Sequence, residues 1–225
     1  MGFPVPIRDT PGVPDPVILP LVPTTTSDSP VLKLFEETGA YLRGHFRLTS
    51  GLHSPEYLQC AKVLAHPDYA EHLGRELARR LRTLINQPAE TKVDLVVAPA
   101  MGGLIIGHEV ARELGVPFLF TERDGASNQM TLRRGFEVHP GQRAVVIEDV
   151  ITTGGSTREV IQLLQDAQVT VLAAGSIMDR SGGKADVGAP RLALHELNVV
   201  TYDPADCPLC RQGIPVVKPG SRRAA

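Results

Sequence analysis

The chain has 225 residues and a formal net charge of −2, which argues against nonspecific binding to nucleic acid or to anionic membranes. Three cysteines and 4% aromatic residues argue against a disulfide-framed secreted domain and against stacking platforms for single-stranded nucleic acid. The sequence contains no run of 18 apolar residues, so we expect no membrane span. Its N-terminus does not resemble a secretory signal, so we expect a cytoplasmic protein.

The first 30 residues contain eight of the 19 prolines of the chain. Proline lacks a backbone N–H and fixes φ, so this stretch cannot form a long helix or a central strand. We expect residues 1–28 to be a disordered, proline-rich extension, residues 29–222 to form one domain, and residues 223–225 to be a tail. No clean PxxP cluster with a flanking arginine supports the alternative of a partner-binding polyproline segment.

The domain is predicted to begin with a helix and an extended region. Ser29 as N-cap and Pro30 in the first turn begin a helix whose apolar face we extend to Leu42. Residues 46–64 are predicted as a hairpin-like extended region with its turn over residues 50–55.

The next helix is predicted from Pro67 to about Leu84, and strands and helices alternate after it. Apolar, β-branched runs predict strands over residues 93–99, 116–122, 143–149 and 169–178. Helices are predicted over residues 102–114 and 157–167, the first ending at Gly115. Continuous apolar strands alternating with helices indicate an α/β protein with a parallel sheet that is covered on both faces.

The most informative pattern is an apolar strand that ends in Glu148 and Asp149. Two aliphatic residues follow, and a turn of hydroxyl and glycine residues (152–156) then precedes a helix. Small residues let backbone N–H groups approach an oxyanion, hydroxyls add donors, and a helix N-terminus adds partial positive charge. The pattern therefore predicts a phosphate-binding turn at the carboxyl end of a strand.

The two adjacent carboxylates indicate what else the ligand contains. Carboxylates accept hydrogen bonds from vicinal hydroxyls, such as those of a ribose, and they can lie near hydrated Mg²⁺. The alternative is an ordinary turn with exposed acids. The coincidence of two acids, two threonines and two glycines within nine residues argues against it. The turn is not a P-loop, and the spacing of Gly102, Gly103 and Gly107 does not fit a Rossmann fingerprint.

Residues 148–156 resemble the ribose-phosphate signature of the type I phosphoribosyltransferases. The resemblance implies an α/β fold with a central, mostly parallel sheet flanked by helices, and a small N-terminal hood over about residues 29–64 plus a C-terminal segment. It also implies that the acids hold the 2′- and 3′-hydroxyls of phosphoribosyl pyrophosphate and that the turn holds its 5′-phosphate. The implied binding residues are Glu148, Asp149, Val150, Ile151, Thr152, Thr153, Gly154, Gly155 and Ser156.

Three further segments are similar to the orotate-specific members of this family: residues 46–64, IMDRSGG (177–183) and residues 206–222. This similarity implies that Arg180 and Thr152 contact orotate, that the reaction makes orotidine 5′-monophosphate and pyrophosphate in pyrimidine synthesis, and that Mg²⁺ assists. A lid that closes over the partner's site implies a homodimer. Two alternatives stay open: transfer to another base, and a non-catalytic sensor of phosphoribosyl pyrophosphate that regulates transcription. The sensor would need a helix-turn-helix or a basic face, and neither is apparent.

The cations for the leaving pyrophosphate differ from the orotate-specific pattern. That pattern has a lysine before the Ser-Gly turn, where this chain has Thr49, and one in the pyrophosphate loop, where PAMGG (99–103) has none. The cations of the predicted lid, residues 123–135, are Arg123, Arg133 and Arg134. We predict Arg123 and Asp149 as catalytic residues, while the division of roles among the three arginines stays open.

Cys207 and Cys210 form a CxxC pair, which is half of a zinc site. His195 is too isolated to complete it, so we predict no metal site in the protein and a structural cysteine pair. Cys60 is predicted as a core residue of a strand. His53 lies in the turn expected near the substrate, where it either contacts ligand or is simply exposed.

Overall fold

The computed structural model describes residues 29–48, 50–85 and 91–219. The extension predicted over residues 1–28 and the tail predicted over residues 223–225 lie outside these ranges. Among the described helices, none combines the length and the hydropathy that crossing a bilayer requires.

Two compact units make up the chain. The larger unit holds the described residues up to Leu42 and the stretch from Leu58 to Val200. The smaller unit holds the described residues of Arg43–Tyr57 and those from Thr201 onward. Of the hood expected over about residues 29–64, therefore, only the central part belongs to the smaller unit.

The described residues form six helices and eight strands. In chain order they are α1 (Pro30–Glu37), β1 (Tyr41–Arg47), β2 (His53–Leu58), α2 (Cys60–Leu64), α3 (Pro67–Ile85), β3 (Leu95–Pro99), α4 (Gly103–Leu114), β4 (Phe118–Arg123), β5 (Met130–Leu132), β6 (Arg143–Ile151), α5 (Gly155–Asp166), β7 (Thr170–Asp179), β8 (Arg191–Glu196) and α6 (Pro208–Arg211).

A six-stranded sheet in the order β5-β4-β3-β6-β7-β8 forms the centre of the larger unit. Every neighbouring pair is parallel except β4 and β5, which are antiparallel. The mostly parallel sheet predicted from the sequence is thereby confirmed. From β3 the chain continues outward to β4, whereas from β6 it continues in the opposite direction to β7. The order of the strands thus reverses between β3 and β6, and open α/β sheets bind their ligands outside the carboxyl ends of the strands at such a point.

Alternating side chains of the central strands fill two separate apolar cores, one on each face of the sheet. In β6, Val145 and Ile147 join the core that also holds α3 and α4, whereas Ala144 and Val146 join the core that holds α5. Successive side chains of a strand point to opposite faces, so a continuously apolar strand supplies both cores. Each aliphatic side chain that is fully buried contributes about 1.5–3 kcal/mol.

Helix α3 follows its predicted bounds because its apolar residues recur at helical spacing. Leu73, Leu77 and Leu81 are fully buried, and residues four apart lie on one helical face. Helix α4 ends where predicted, since Gly115 takes the left-handed conformation at φ 73°, which suits the residue after a helix.

The structure corrects three local predictions. Helix α1 stops at Glu37 instead of reaching Leu42, because Gly39 turns the chain at φ 61° and the hydroxyl of Thr38 donates to the Leu34 carbonyl at 2.7 Å. Residues 60–64 are helical rather than extended, with buried residues at the spacing of a helix turn. The predicted lid is a β-hairpin, since β5 pairs with β4.

The smaller unit consists of most of the hairpin β1–β2, from Arg43 to Tyr57, and the C-terminal segment. The C-terminal chain pairs with the hairpin at two places: Val217 exchanges backbone hydrogen bonds with β1, and Tyr202 exchanges them with His53 of β2. Four backbone bonds of 2.8–2.9 Å make these contacts. Segments far apart in sequence are therefore held in one unit.

Candidate active site

The predicted acid pair lies near the carboxyl end of the central strand β6. Glu148 is 8% exposed, and the neighbouring Asp149 is half-buried. The Asp149 carboxylate accepts a hydrogen bond from the Val150 amide at 2.8 Å, which fixes its orientation. Strand β6 is central in the sheet, so the pair lies at the point where the strand order reverses.

Burial sets the electrostatics of the pair. It raises the pKa of Glu148 well above its usual value, and the adjacent charge of Asp149 raises it further. Burial also raises the pKa of Asp149, although the Val150 amide and the hydrogen bond from Glu148 oppose the shift. The pair therefore holds a proton more tightly than free carboxyls do. Hydroxyl donors or a cation beside it would favour the charged form.

The predicted phosphate-binding turn connects β6 to α5. Thr152 and Thr153 are exposed, and Gly154 has a φ of 76°, a conformation that glycine adopts without strain. A Cβ at position 154 would lie 2.8 Å from Val187, so the turn also needs a residue without a side chain. Helix α5 starts at Gly155, and its first N–H groups have no partner within the helix. They therefore point toward the turn as anion donors.

The chain after β3 lies directly against the acid pair. A Cβ added to Gly102 would lie 2.4 Å from the Asp149 carboxylate, and one added to Gly103 would lie 2.9 Å from the Ile147 carbonyl. Glycine at both positions allows this approach. The residues between them and β3 include Met101, which is 81% exposed. The pyrophosphate loop predicted over residues 99–103 is thus beside Asp149, and the close approach of Gly102 is a feature that the sequence did not reveal.

The two residues predicted to contact orotate are brought together by the backbone. The Arg180 amide donates to the Ile151 carbonyl at 2.8 Å, so Arg180 lies next to the first residue of the turn, Thr152. Asp179 precedes it and is fully buried. The Asp179 carboxylate accepts bonds from the Arg191 guanidinium and from the Ser181 amide. The buried Asp179 carboxylate thus pairs with Arg191.

Arg123, predicted as catalytic, lies at the end of β4 and contacts α5. Its guanidinium donates to Glu159 at 2.8 Å, to the Asn128 carbonyl at 2.7 Å and to the Ser156 hydroxyl at 3.4 Å. Ser156 belongs to the phosphate-binding turn. Arg123 thus contacts a residue that is expected to bind the phosphate, and Glu159 of α5 holds its guanidinium in this position.

The other two arginines of the hairpin differ in how they are held. Arg134 donates two hydrogen bonds of 2.8 Å to Glu122 and lies over the Phe120 ring, 5.7 Å from its centroid. This pairing lowers the pKa of Glu122. Arg133 is exposed and lies close enough to Asp124 for its charge to help lower the pKa of that carboxyl. Arg134 therefore stabilises the hairpin, and Arg133 is the more available of the two for binding a ligand.

Cys60 is buried beneath the acid pair. It is 2% exposed, and its Sγ lies 3.9 Å from the Asp149 carbonyl oxygen. Burial and the two nearby acids raise the pKa of the thiol well above its usual value, so it remains a neutral packing residue. Its predicted place in the core is confirmed, but it begins α2 and does not lie on a strand.

Comparison with known proteins agrees with this geometry. Residues 63–203 match the family described as Phosphoribosyl transferase domain. The orotate phosphoribosyltransferase of Pelotomaculum thermopropionicum is 54% identical over 193 residues, covering 86% of this chain and 97% of that protein. That of Thermotoga petrophila is 50% identical over 192 residues, covering 85% of this chain and 98% of that protein. The crystal structure of orotate phosphoribosyltransferase from Aeropyrum pernix matches with a TM-score of 0.60 at 27% identity, covering 74% of this chain and 93% of that chain.

Proposed function

We infer that this chain, which belongs to the orotate phosphoribosyltransferase family, transfers the phosphoribosyl group of phosphoribosyl pyrophosphate to orotate. The reaction is a step of pyrimidine biosynthesis and yields orotidine 5′-monophosphate and pyrophosphate. The observation that carries the inference is the acid pair of β6, followed at once by a hydroxyl- and glycine-rich turn at a helix N-terminus, where the strand order reverses.

The donor is held by the residues of β6 and the turn. Glu148 and Asp149 accept hydrogen bonds from the 2′- and 3′-hydroxyls of the ribose. The backbone and hydroxyl groups of residues 152–156, together with the N-terminus of α5, bind the 5′-phosphate. Val150 and Ile151 connect the acid pair to the phosphate-binding turn. Both belong to strand β6, so they fix the spacing between the ribose-binding and the phosphate-binding residues.

Orotate is recognised beside the turn. It carries a carboxylate, so the Arg180 guanidinium forms charge-assisted hydrogen bonds with it, and Thr152 adds a hydroxyl contact. The backbone bond from Arg180 to Ile151 keeps the base-binding residue at a fixed distance from the ribose-binding strand. Orotate N1 is thereby positioned toward C1 of the ribose.

The bond from N1 to C1 forms as the bond from C1 to pyrophosphate breaks, and the N1 proton passes to solvent. The ribose acquires oxocarbenium character, as in glycoside hydrolysis. Asp149 lies beside both the ribose site and the pyrophosphate loop, so its negative charge stabilises the cationic sugar. Arg123 reaches the leaving group by exchanging Glu159 for pyrophosphate oxygens, and Arg133 is the second available cation of the hairpin.

Mg²⁺ belongs to this proposal, since the carboxylate oxygens of Glu148 and Asp149 are the donors that a hydrated Mg²⁺ prefers. When bound to the pyrophosphate, it spreads the charge of the leaving group. The raised pKa of both acids is consistent with a site whose charge is balanced only when ligand and cation are present. A homodimer with a closing lid and a cytoplasmic location stay predictions from the sequence.

Product formation with four bases tests the proposal. The full chain is incubated with phosphoribosyl pyrophosphate, Mg²⁺ and either orotate, uracil, hypoxanthine or adenine, and nucleotides are separated by chromatography. We expect orotidine 5′-monophosphate, with at least about 100-fold discrimination against uracil, which lacks the carboxylate. Equal use of another base would place the chain among other phosphoribosyltransferases. Donor binding without any nucleotide product would indicate the sensor.

A further inference from the structure

The smaller unit buries an unusual set of side chains. Among its described residues, the buried ones besides Gly44 are His45, Phe46, His53, Ser54 and Cys207. Of these buried side chains, Phe46 and Cys207 are the ones of the kind that form an apolar core. Units of this size rarely bury enough apolar surface to fold, and they commonly rely on a metal or on disulfides.

Two histidines and two cysteines converge at the centre of this unit. His45 Nε2 lies 2.8 Å from His53 Nδ1, 3.5 Å from Cys207 Sγ and 3.7 Å from Cys210 Sγ. Cys210 Sγ lies 3.3 Å from His53 Nδ1. The four atoms all lie within 4.8 Å of one another. All four residues belong to the smaller unit.

These distances fit a small four-coordinate cation. Zinc lies at about 2.0–2.1 Å from imidazole nitrogen and about 2.3 Å from thiolate sulfur, so the edges of a tetrahedral site are about 3.3–3.8 Å. The nitrogen–sulfur distances of 3.3–3.7 Å fall in this range. The nitrogen–nitrogen distance of 2.8 Å is shorter, and a small rotation of either ring opens it.

The outer side of His45 is arranged as it is in metal sites. Its Nδ1 donates a hydrogen bond of 2.7 Å to the Ile214 carbonyl. This bond fixes the tautomer, so Nε2 presents its lone pair to the cluster. A ligating histidine almost always donates its other ring nitrogen to a carbonyl, carboxylate or water, which sets the orientation of the ring.

We propose that His45, His53, Cys207 and Cys210 bind one structural Zn²⁺ that holds the hairpin β1–β2 to the C-terminal segment. Two soft thiolates and two imidazoles in tetrahedral arrangement select zinc over Mg²⁺ and Ca²⁺. All four positions are taken by protein atoms, which is typical of structural rather than catalytic zinc. Cys210 is exposed, so the ion enters and leaves on that side.

The sequence predicted no metal site, because the CxxC pair had no second pair of ligands. The hairpin places a second pair of candidate ligands, His45 and His53, beside the cysteines, and the proposal replaces that prediction. His195, the histidine considered from the sequence, lies on β8 in the larger unit.

Metal content and cobalt spectroscopy of the full chain test the proposal. Untagged protein, purified with a reductant and freed of loosely bound ions, should contain about one zinc per chain by mass spectrometry. Replacing zinc with Co²⁺ should give the intense visible bands of a tetrahedral ion and ultraviolet thiolate-to-cobalt bands. The wild-type spectrum needs no variant, so it remains decisive even if a ligand substitution unfolds the unit.

Matched variants assign the ligands. Cys210→Ser changes the exposed ligand and should lower zinc content at least about tenfold, whereas Cys60→Ser, in the larger unit, should leave it unchanged. His53→Asn should behave as Cys210→Ser does, and His139→Asn should not. The proposal is overturned if the reduced chain binds neither zinc nor cobalt with thiolate bands, if Cys210→Ser retains full zinc, or if Cys207 and Cys210 are found only as a disulfide.

Discussion

The two units differ in what fills their interiors. The larger unit packs aliphatic side chains on both faces of its sheet, and its candidate site residues lie at the carboxyl ends of the central strands. The smaller unit places imidazoles and thiols where a core would be. In the larger unit, the residues that stabilise the fold differ from the residues that bind ligand. A substitution can therefore alter ligand binding without altering stability, or the reverse. In the smaller unit, the nitrogen and sulfur atoms of the proposed zinc site both bind the ion and stabilise the fold.

Chelation should separate the two units most clearly. Removing metal from the full chain should abolish the protection of backbone amides in the smaller unit, at Arg47, Tyr202 and Val217, because the metal supplies its folding free energy. Amides of β6 should keep their protection, since aliphatic packing holds them. Hydrogen exchange read by mass spectrometry, with and without a zinc chelator, measures both at once. A uniform loss of protection across the chain would contradict the comparison.

Asp149→Asn should lower turnover with orotate about 100-fold, which corresponds to two charge-assisted hydrogen bonds of about 1.5 kcal/mol each. Donor binding should weaken as well, while the melting temperature should not fall, because no core packing is lost. Steady-state kinetics and thermal unfolding measure these effects. Asp166→Asn, an exposed acid at the end of α5, serves as the control. A change confined to the orotate KM would show that Asp149 serves the base instead.

Arg180→Ala should raise the orotate KM by about 10–100-fold, the range expected for losing a charge-assisted bond to a carboxylate. The backbone bond from residue 180 to Ile151 remains, so the donor KM and the melting temperature should barely move. Arg112→Ala, which removes an exposed arginine of α4, is the matched control. Unchanged kinetics for orotate would remove the residue-level reason for this base.

Glu148→Gln should have a modest effect on stability, and one with a definite pH dependence. The pKa of Glu148 is raised on folding, so the wild-type chain loses stability as pH rises from the unfolded-state pKa, about 4.3, through the folded-state pKa. The amide carries no charge and still donates a hydrogen bond to Asp149.

The variant should therefore melt about 2–4 °C higher at about pH 8, which corresponds to about 1 kcal/mol in a chain of this size. The gain should shrink as pH falls toward about 4, where wild-type Glu148 becomes protonated in both the folded and the unfolded state. Thermal unfolding across this range, with Glu137→Gln as an exposed control, measures it. A gain that is constant with pH would show that the buried charge is not its source.

Local patterns in the sequence predicted most of the larger unit. The alternation of apolar strands with helices predicted the sheet, and the contiguous run from Glu148 to Ser156 predicted the turn. Both patterns involve residues that are close together in the sequence. Helix α1 was extended too far because the apolar pattern continues past Gly39 into β1. Strand β5 was missed because it has three residues in a polar segment.

The cluster of the smaller unit was not predictable in the same way. His45 and Cys207 are 162 positions apart, and only the pairing of Val217 with β1 and of Tyr202 with β2 brings them together. No periodicity marks such a contact. The CxxC spacing was a visible signal, but its partners depend on tertiary structure.

The backbone bond between Arg180 and Ile151 also bears on how such an enzyme can acquire a new acceptor. The peptide N–H fixes the position of residue 180 whatever its side chain, with proline as the exception. Side chains at position 180 can therefore be exchanged without moving the strand that we propose holds the sugar. A saturation library at this one position, selected on uracil or a purine, samples base preference independently of donor recognition. With the proposed role of Arg180, the architecture makes acceptor choice an easily evolved trait, while the donor remains fixed.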